Sequence, residues 1–162
     1  MESESPLIII GVGNTYRGDD ALGIVVARQL SGRVPDNVVV HENFGEVAGM
    51  MELFEGAESV ILVDAVSSGS EPGKVFRFDA SREEIPADCF RYSTHAFSIP
   101  EAVGLARALG QLPRNVIIYG IEGKQFETGE GLSPEVEKAL PELIKRITAE
   151  IETIRRTKDE AK

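Results

Sequence analysis

A glycine-containing loop directly after the first apolar run carries the residues best suited to chemistry. Residues 7–10 are followed by Gly11-Val12-Gly13-Asn14 and then by Gly18-Asp19-Asp20. A glycine turn after a first strand commonly prepares a phosphate site, because free amides at the start of a helix attract anions. Two carboxylates at that place repel a phosphate and attract a cation instead. The loop therefore predicts a site for a metal or a basic group.

Two more residues extend this candidate site. Asp64 follows the four aliphatic residues 60–63, and His95 lies in the sequence Ser93-Thr94-His95. Open α/β sheets bind their ligands at the carboxyl ends of the strands, so Asp20, Asp64 and His95 are expected at one edge of the sheet. Two carboxylates and one imidazole form a three-ligand set with open coordination positions, which suits a divalent metal. An acid at the end of a buried strand needs a partner, which favours a functional Asp64.

Structural roles remain open for these side chains. An acid at a helix start can cap the helix and oppose its dipole, and capping is the role expected of Asp19. Orientation of Asp20 and acceptance of a proton are the alternative roles of Asp19. A lone His95 is compatible with a hydrogen-bonded loop histidine, and the three residues match no sequential metal motif. Glu42, after the second strand, is the acid that a dinucleotide ribose would bind. However, the third glycine of the dinucleotide fingerprint is missing after Gly13.

Apolar runs that alternate with helical patterns indicate the elements that position these residues. Strands are predicted at 7–12, 38–41, 60–63 and 116–121, with an exposed, antiparallel edge strand at 74–78. Helices are predicted at 20–30, 47–54, 98–109 and from Ser133 onwards. Pro141 is expected to kink or restart the last helix, and residues from about 157 are expected to fray. The pattern predicts a single α/β domain over 1–162: three layers, α/β/α, with a twisted, mostly parallel sheet of about five strands flanked by helices.

The overall composition limits the partners of the chain. Seventeen basic and 27 acidic residues give a net charge of −10 over 162 residues. This charge opposes binding to nucleic acid or to an anionic membrane. Cys89 is the sole cysteine, which excludes an intrachain disulfide and a multi-cysteine metal site. The first residues are acidic where a signal peptide is basic, and no segment is as long and apolar as a membrane span. A soluble cytoplasmic protein is therefore expected.

Several short motifs in order resemble those of the hydrogenase maturation proteases. The likeness begins with Gly11-Val12-Gly13-Asn14, Gly18-Asp19-Asp20 and Gly23, and it covers most of the chain. It continues through Ala48-Gly49-Met50, Leu62-Val63-Asp64-Ala65, Ser93-Thr94-His95, Gly120-Ile121-Glu122 and the stretch 129–136. No single motif is decisive, but the ordered combination is specific.

The resemblance implies an endopeptidase that removes a C-terminal extension from the large-subunit precursor of a nickel–iron hydrogenase once nickel has been inserted. It implies a phosphorylase/hydrolase-like α/β fold. The metal-contacting residues of the family fall on Asp20, Asp64 and His95, which are therefore expected to act as catalytic and metal-contacting residues. The expected metal is nickel carried by the precursor, with no organic cofactor, and the expected form is a monomer. Residues 43–47 depart from the usual Asp-Gly-Gly-Thr-like stretch, which leaves open which hydrogenase is processed.

Two other classes of function remain as alternatives. One is a non-catalytic hydrogenase assembly chaperone or nickel-sensing subunit, which would bind a precursor without changing its mass. The other is a nucleotide-binding α/β module that uses the Gly11 loop together with Glu42, and it would bind NAD or ATP. Neither alternative explains Asp20, Asp64 and His95 together.

Overall fold

A five-stranded mixed sheet forms the centre of the molecule. The computed structural model describes residues 7–90 and 98–160. The strands are β1 (Leu7–Val12), β2 (Val38–Asn43), β3 (Ser59–Val66), β4 (Val75–Asp79) and β5 (Asn115–Glu122). They are arranged in the order β2-β1-β3-β5-β4; the first four of these are parallel, and β4 pairs antiparallel with β5. The predicted fold class and the predicted antiparallel edge strand are confirmed.

Helices cover both faces of the sheet. They are α1 (Leu22–Leu30), α2 (Val47–Phe54), α3 (Ile99–Ala108) and α4 (Pro134–Glu160). One buried cluster joins α1 and α4 to one face of the sheet, and a second joins α2 and α3 to the other face. β3 has buried residues along its whole length because both of its faces are covered. This arrangement is the three-layer α/β/α architecture.

The strand order reverses direction at β1 and β3, and open α/β sheets have their ligand crevice at the carboxyl ends of the strands where such a reversal occurs. The chain passes from β1 through α1 to β2 on one side, and then through α2 to β3 on the other side of β1. Such a reversal of direction separates the loops above the two strands and leaves room for a ligand. The loop after β1 contains Asp20, and Asp64 lies two residues before the end of β3.

Two glycines allow α1 to pack closely on the sheet. A side chain on Gly23 would overlap the carbonyl oxygens of Val12 and Val63, and one on Gly11 would overlap the carbonyl oxygen of Gly23. The backbone of α1 therefore lies directly against the ends of β1 and β3. This contact fixes the position of the residues just before α1, which include Asp20.

Two differences between the observed and the predicted boundaries affect the candidate site. Residues Gly18–Ala21 form a 3₁₀ turn, so α1 begins at Leu22, and neither Asp19 nor Asp20 caps a helix through its side chain. The prediction of a capping Asp19 is wrong. β3 continues beyond 63 to Val66, because β5 pairs with it along its full length. Asp64 is thus part of the strand.

α4 is a single helix from Pro134 to Glu160. It is not restarted at Pro141, and it extends past residue 157, where fraying is predicted. Apolar side chains on both sides of the proline bury against the same face of the sheet: Val136, Leu140, Leu143, Ile147 and Ile151. Their packing holds the helix together across the hydrogen bond that the proline removes. Within residues 7–90 and 98–160, no helix is long and apolar enough to cross a membrane.

Candidate functional site

The carboxyl group of Asp64 is buried near the end of β3. The residue is 2% exposed, and the amide of Ala65 donates a hydrogen bond of 2.8 Å to its Oδ1 atom. Burial raises the pKa of Asp64 well above its usual value, the negative charge of Asp20 raises it further, and the Ala65 hydrogen bond opposes the shift. A cation placed beside this carboxyl would relieve both unfavourable effects. A strongly shifted acid in a crevice is typical of a functional site.

The 3₁₀ turn after β1 holds Asp20 within electrostatic range of Asp64. Asp20 is also buried, at 2% exposure. Its amide donates to the carbonyl of Arg17 at 3.1 Å, and its carbonyl accepts from the amide of Asn14 at 3.0 Å. The backbone of Asp20 is therefore tied to its own loop on both sides. Two of the three predicted site residues are brought together in this way.

His95, the third predicted site residue, lies outside the described residues. The chain reaches segment 91–97 from Phe90, which forms a parallel bridge with Ser67 directly after β3. In the described part of the chain, no three His, Cys, Asp or Glu side chains are grouped so that they could hold a metal ion. A metal ion held by Asp20 and Asp64 would therefore take its further ligands from outside the described residues.

The glycine loop does not offer a row of free amides to a phosphate. The amide of Gly13 donates to the carbonyl of Asn43 at 3.1 Å, and that of Asn14 donates to Asp20. The amide of Tyr16 donates to the side chain of Asn14 at 2.9 Å. Glu42, the acid that a dinucleotide would need, is exposed and forms an ion pair of 3.2 Å with Arg28. These contacts disfavour the nucleotide-binding alternative.

Comparison with known proteins identifies the family of this chain. The model of the family described as "Hydrogenase maturation protease" matches residues 25–150. A putative hydrogenase maturation protease of Methanocaldococcus jannaschii is 34% identical over 151 residues, which cover 90% of this chain and 96% of that protein. The chain belongs to the hydrogenase maturation protease family.

Other members of the family resemble it over most of their length. The hydrogenase 2 maturation protease of Escherichia coli is 28% identical over 149 residues, which cover 88% of each chain. The structure of the hydrogenase maturating endopeptidase HybD from Escherichia coli superposes with a TM-score of 0.77. That match covers 91% of this chain and 93% of the other at 22% identity, and it shows a shared fold.

In this member of the family, the two adjacent acids of the loop have different surroundings. Asp19 is fully buried and accepts four hydrogen bonds from residues more than one hundred positions later in the chain. Asp20 instead acts electrostatically on Asp64. The doublet therefore combines one acid that binds a distant segment with one that faces the second acid of the candidate site.

Sequence reasoning missed two buried polar residues at the same edge of the sheet. Glu122 ends β5, is 3% exposed, and accepts hydrogen bonds from the amide and hydroxyl of Ser68. Asn43 ends β2, and its Oδ1 accepts from the amides of Gly45 and Glu46 at 2.7 and 3.0 Å. Both follow the pattern that identified Asp64, a polar residue at the end of a strand. They hold the loops that surround the crevice.

Proposed function

We propose that this chain is an endopeptidase that removes a C-terminal extension from the nickel-loaded large-subunit precursor of a nickel–iron hydrogenase. Membership of the hydrogenase maturation protease family supports the reaction class. The observation that carries the proposal is the buried Asp64 carboxyl, with its raised pKa, beside Asp20 at the carboxyl edge of the sheet. The chain would act as a monomer.

Nickel in this proposal is part of the substrate. It is held by the precursor, and Asp20, Asp64 and His95 would fill its vacant coordination positions. Two carboxylates and an imidazole without thiolates suit a divalent metal that brings its other ligands with it. Bound to both proteins, the nickel would place the adjacent C-terminal segment of the precursor across the ends of β1 and β3.

The burial of Asp64 gives a physical reason for the nickel requirement. Desolvation and the charge of Asp20 disfavour the ionised form of Asp64 in the free protein. A nickel ion beside the carboxylate favours that form, since an opposite charge offsets both effects. A nickel-free precursor provides no such compensation. Once docked, the nickel can polarise the scissile carbonyl or activate a water molecule.

The loops around the two acids present apolar surface to a protein substrate. Tyr16 follows β1 and is 66% exposed, and Phe44 follows β2 and is 53% exposed. The side chain of Asn43 fixes the turn that carries Phe44. Exposed aromatic side chains on ordered loops are typical of surfaces that bind another chain.

Intact-mass spectrometry of a large-subunit precursor tests the proposal. The precursor, prepared with and without nickel, is incubated with the wild-type protein and with the Asp64→Asn and His95→Ala variants. Asp79→Asn, at the opposite edge of the sheet, is the matched control. We expect loss of a C-terminal peptide only with nickel, unchanged cleavage by the control, and loss of cleavage in both site variants.

Other outcomes would contradict parts of the proposal. Cleavage of the nickel-free precursor at the same rate would exclude nickel recognition. Normal cleavage by His95→Ala would remove His95 from the ligand set. Stable binding of the precursor without any change in its mass would favour the assembly chaperone or nickel-sensing subunit instead.

A further inference from the structure

The carboxyl group of Asp19 is the centre of a contact between two distant parts of the chain. Its Oδ2 atom accepts from the amides of Lys124 and Gln125 at 2.7 and 3.0 Å and from the hydroxyl of Ser133 at 2.8 Å. Its Oδ1 atom accepts from the amide of Ser133 at 2.7 Å. Four donors facing two oxygens match the acceptor-only chemistry of a carboxylate. All four belong to residues 123–133, the segment between β5 and α4.

Backbone contacts join the same segment to the 3₁₀ turn. The amide of Asp19 donates to the carbonyl of Gln125 at 2.7 Å, and the amide of Gly18 donates to the carbonyl of Gly129 at 2.9 Å. The amide of Gly129 in turn donates to the carbonyl of Tyr16 at 2.9 Å. A side chain on Gly18 would approach the carbonyl of Gln125, and the residue has a φ of +55°, so glycine is required there. The turn is thus held along its length.

Such a contact matters because Asp20 is buried and lies within electrostatic range of Asp64. A displaced Asp20 carboxylate would be hydrated, so its burial has a cost that the surrounding turn has to oppose. Asp20 follows Asp19 directly in the turn, so the hydrogen bonds of Asp19 fix the backbone from which the Asp20 side chain extends. The four bonds therefore hold Asp20 in its buried position.

We propose that Asp19 is a positioning residue that holds Asp20 against Asp64 by binding residues 123–133. The reaction in which this matters is the proposed nickel-dependent cleavage, so the inference rests on the proposed function. Asp19 itself contacts neither the metal nor the peptide in this scheme. Residues 123–133 become part of the site through Asp19, although they contain no proposed ligand.

Ser133→Ala tests the proposal without changing either acid. It removes the hydroxyl donor to Asp19 but keeps the amide donor of residue 133, whereas Ser133→Thr keeps both. Ser81→Ala is the matched control, because the Ser81 hydroxyl donates to Asp79 at 2.6 Å at the opposite edge of the sheet. Asp19→Asn is the stronger variant, and thermal unfolding shows whether it remains folded.

Two measurements are made on each variant. Amide hydrogen exchange is followed at Asn14 and Asp20, whose amides bond within the loop, with Ile61 in β3 as the reference for global opening. Precursor cleavage gives kcat/KM. We expect Ser133→Ala to accelerate exchange at Asn14 and Asp20 and to lower kcat/KM by about tenfold each, the effect of one charge-assisted hydrogen bond. Ser133→Thr should restore both quantities, and Ser81→Ala should change neither.

The two measurements separate this inference from the proposed function. If wild-type protein cleaves no precursor, the proposed function fails, while exchange at Asn14 and Asp20 still tests whether Asp19 holds the turn. Unchanged exchange at these amides in both Ser133→Ala and Asp19→Asn would overturn the inference. An equal acceleration of exchange at Ile61 would also overturn it, because the whole protein would then be opening. Faster exchange at Asn14 and Asp20 with unchanged cleavage would overturn it as well.

Discussion

At the scale of single residues, the buried carboxyl group of Asp64 opposes the stability of the fold. Its carboxyl is buried with a single hydrogen bond from Ala65 in the described structure and close to the charge of Asp20. Neither feature stabilises the sheet. Residues retained at a cost to stability are commonly those on which function depends.

Replacement of Asp64 by Asn should separate these two effects. The pKa of Asp64 is raised by the fold above its usual 3.8, so the folded chain holds a proton more tightly than the unfolded chain. The free energy of unfolding of the wild type therefore falls as the pH rises through the interval between these two pKa values. Asp64→Asn cannot ionise at this position, so its free energy of unfolding does not fall with pH in this way. Its side-chain oxygen still accepts a hydrogen bond from the amide of Ala65. We expect a higher melting temperature at pH 7 than for the wild type, and cleavage reduced about a hundredfold.

Measurements of thermal unfolding across the acidic range provide the check. The melting-temperature difference between Asp64→Asn and the wild type should be smallest below the usual pKa and should grow as the pH rises. Asp79→Asn, at the opposite edge, should show no such gain. A variant that is less stable than the wild type at pH 7 would contradict the electrostatic description of the site.

The sequence predicted one site for Asp20 and Asp64, and it predicted helix capping as the main role of Asp19. The prediction for Asp64 depended on the four aliphatic residues before it, a pattern that is visible in the sequence. The donors to Asp19 lie 105, 106 and 114 residues further along the chain, so only the folded structure reveals them. Rules that use only neighbouring residues predict that such an acid caps the nearest helix.

At the scale of elements, the packing of α1 on β1 and β3 depends on Gly23, which has no side chain. The boundaries of β1 and α2 agree with the sequence prediction, because burial on both faces and a glycine after the helix mark them locally. Close approach of a helix to a sheet produces no periodic pattern in the amino-acid sequence. Only the carbonyl oxygens of Val12 and Val63 near Gly23 explain why a glycine stands inside α1.

Gly23→Ala and Gly104→Ala form a matched pair for this packing. Both positions are in helices, where alanine is the better helix former by about 0.5–1 kcal/mol. An added methyl group at Gly104 meets nothing within 4 Å, so Gly104→Ala should stabilise the protein. At Gly23 it overlaps two backbone carbonyls, and we expect a loss of about 3 kcal/mol. Denaturant unfolding measures both; equal effects of the two substitutions would exclude the close packing.

At the scale of the whole molecule, one polar network joins elements that are far apart in sequence. The hydroxyl of Tyr119 in β5 donates to Glu150 in α4 at 2.6 Å, and Nε of Arg77 in β4 donates to the same carboxylate at 2.8 Å. Burial and the bond to Glu150 raise the pKa of Tyr119 to about 12, so its hydroxyl keeps its proton. The sequence shows each element but not this connection, since α4 reaches β4 only through the order of strands in the sheet.

Glu150→Gln should therefore weaken the attachment of α4 in a pH-dependent way. Burial tends to raise the pKa of Glu150, but hydrogen bonds from Arg77 and Tyr119 outweigh it and lower the pKa below its usual 4.5. The stabilisation from this ionised carboxylate is present above pH 4.5 and is lost as the pH falls through the folded-state pKa. We expect Glu150→Gln to lose about 1–2 kcal/mol at pH 7.

Unfolding at pH 7 and in acid distinguishes this network from ordinary surface charge. The loss caused by Glu150→Gln should shrink in acid, because the wild-type carboxylate is then protonated as well. Glu142→Gln, which breaks an exposed pair of 3.6 Å with Arg146 on the same helix, should cost less than about 0.5 kcal/mol at either pH. If the two variants behaved alike, the attachment of α4 would depend on its apolar face, and the carboxylate of Glu150 would add nothing to it.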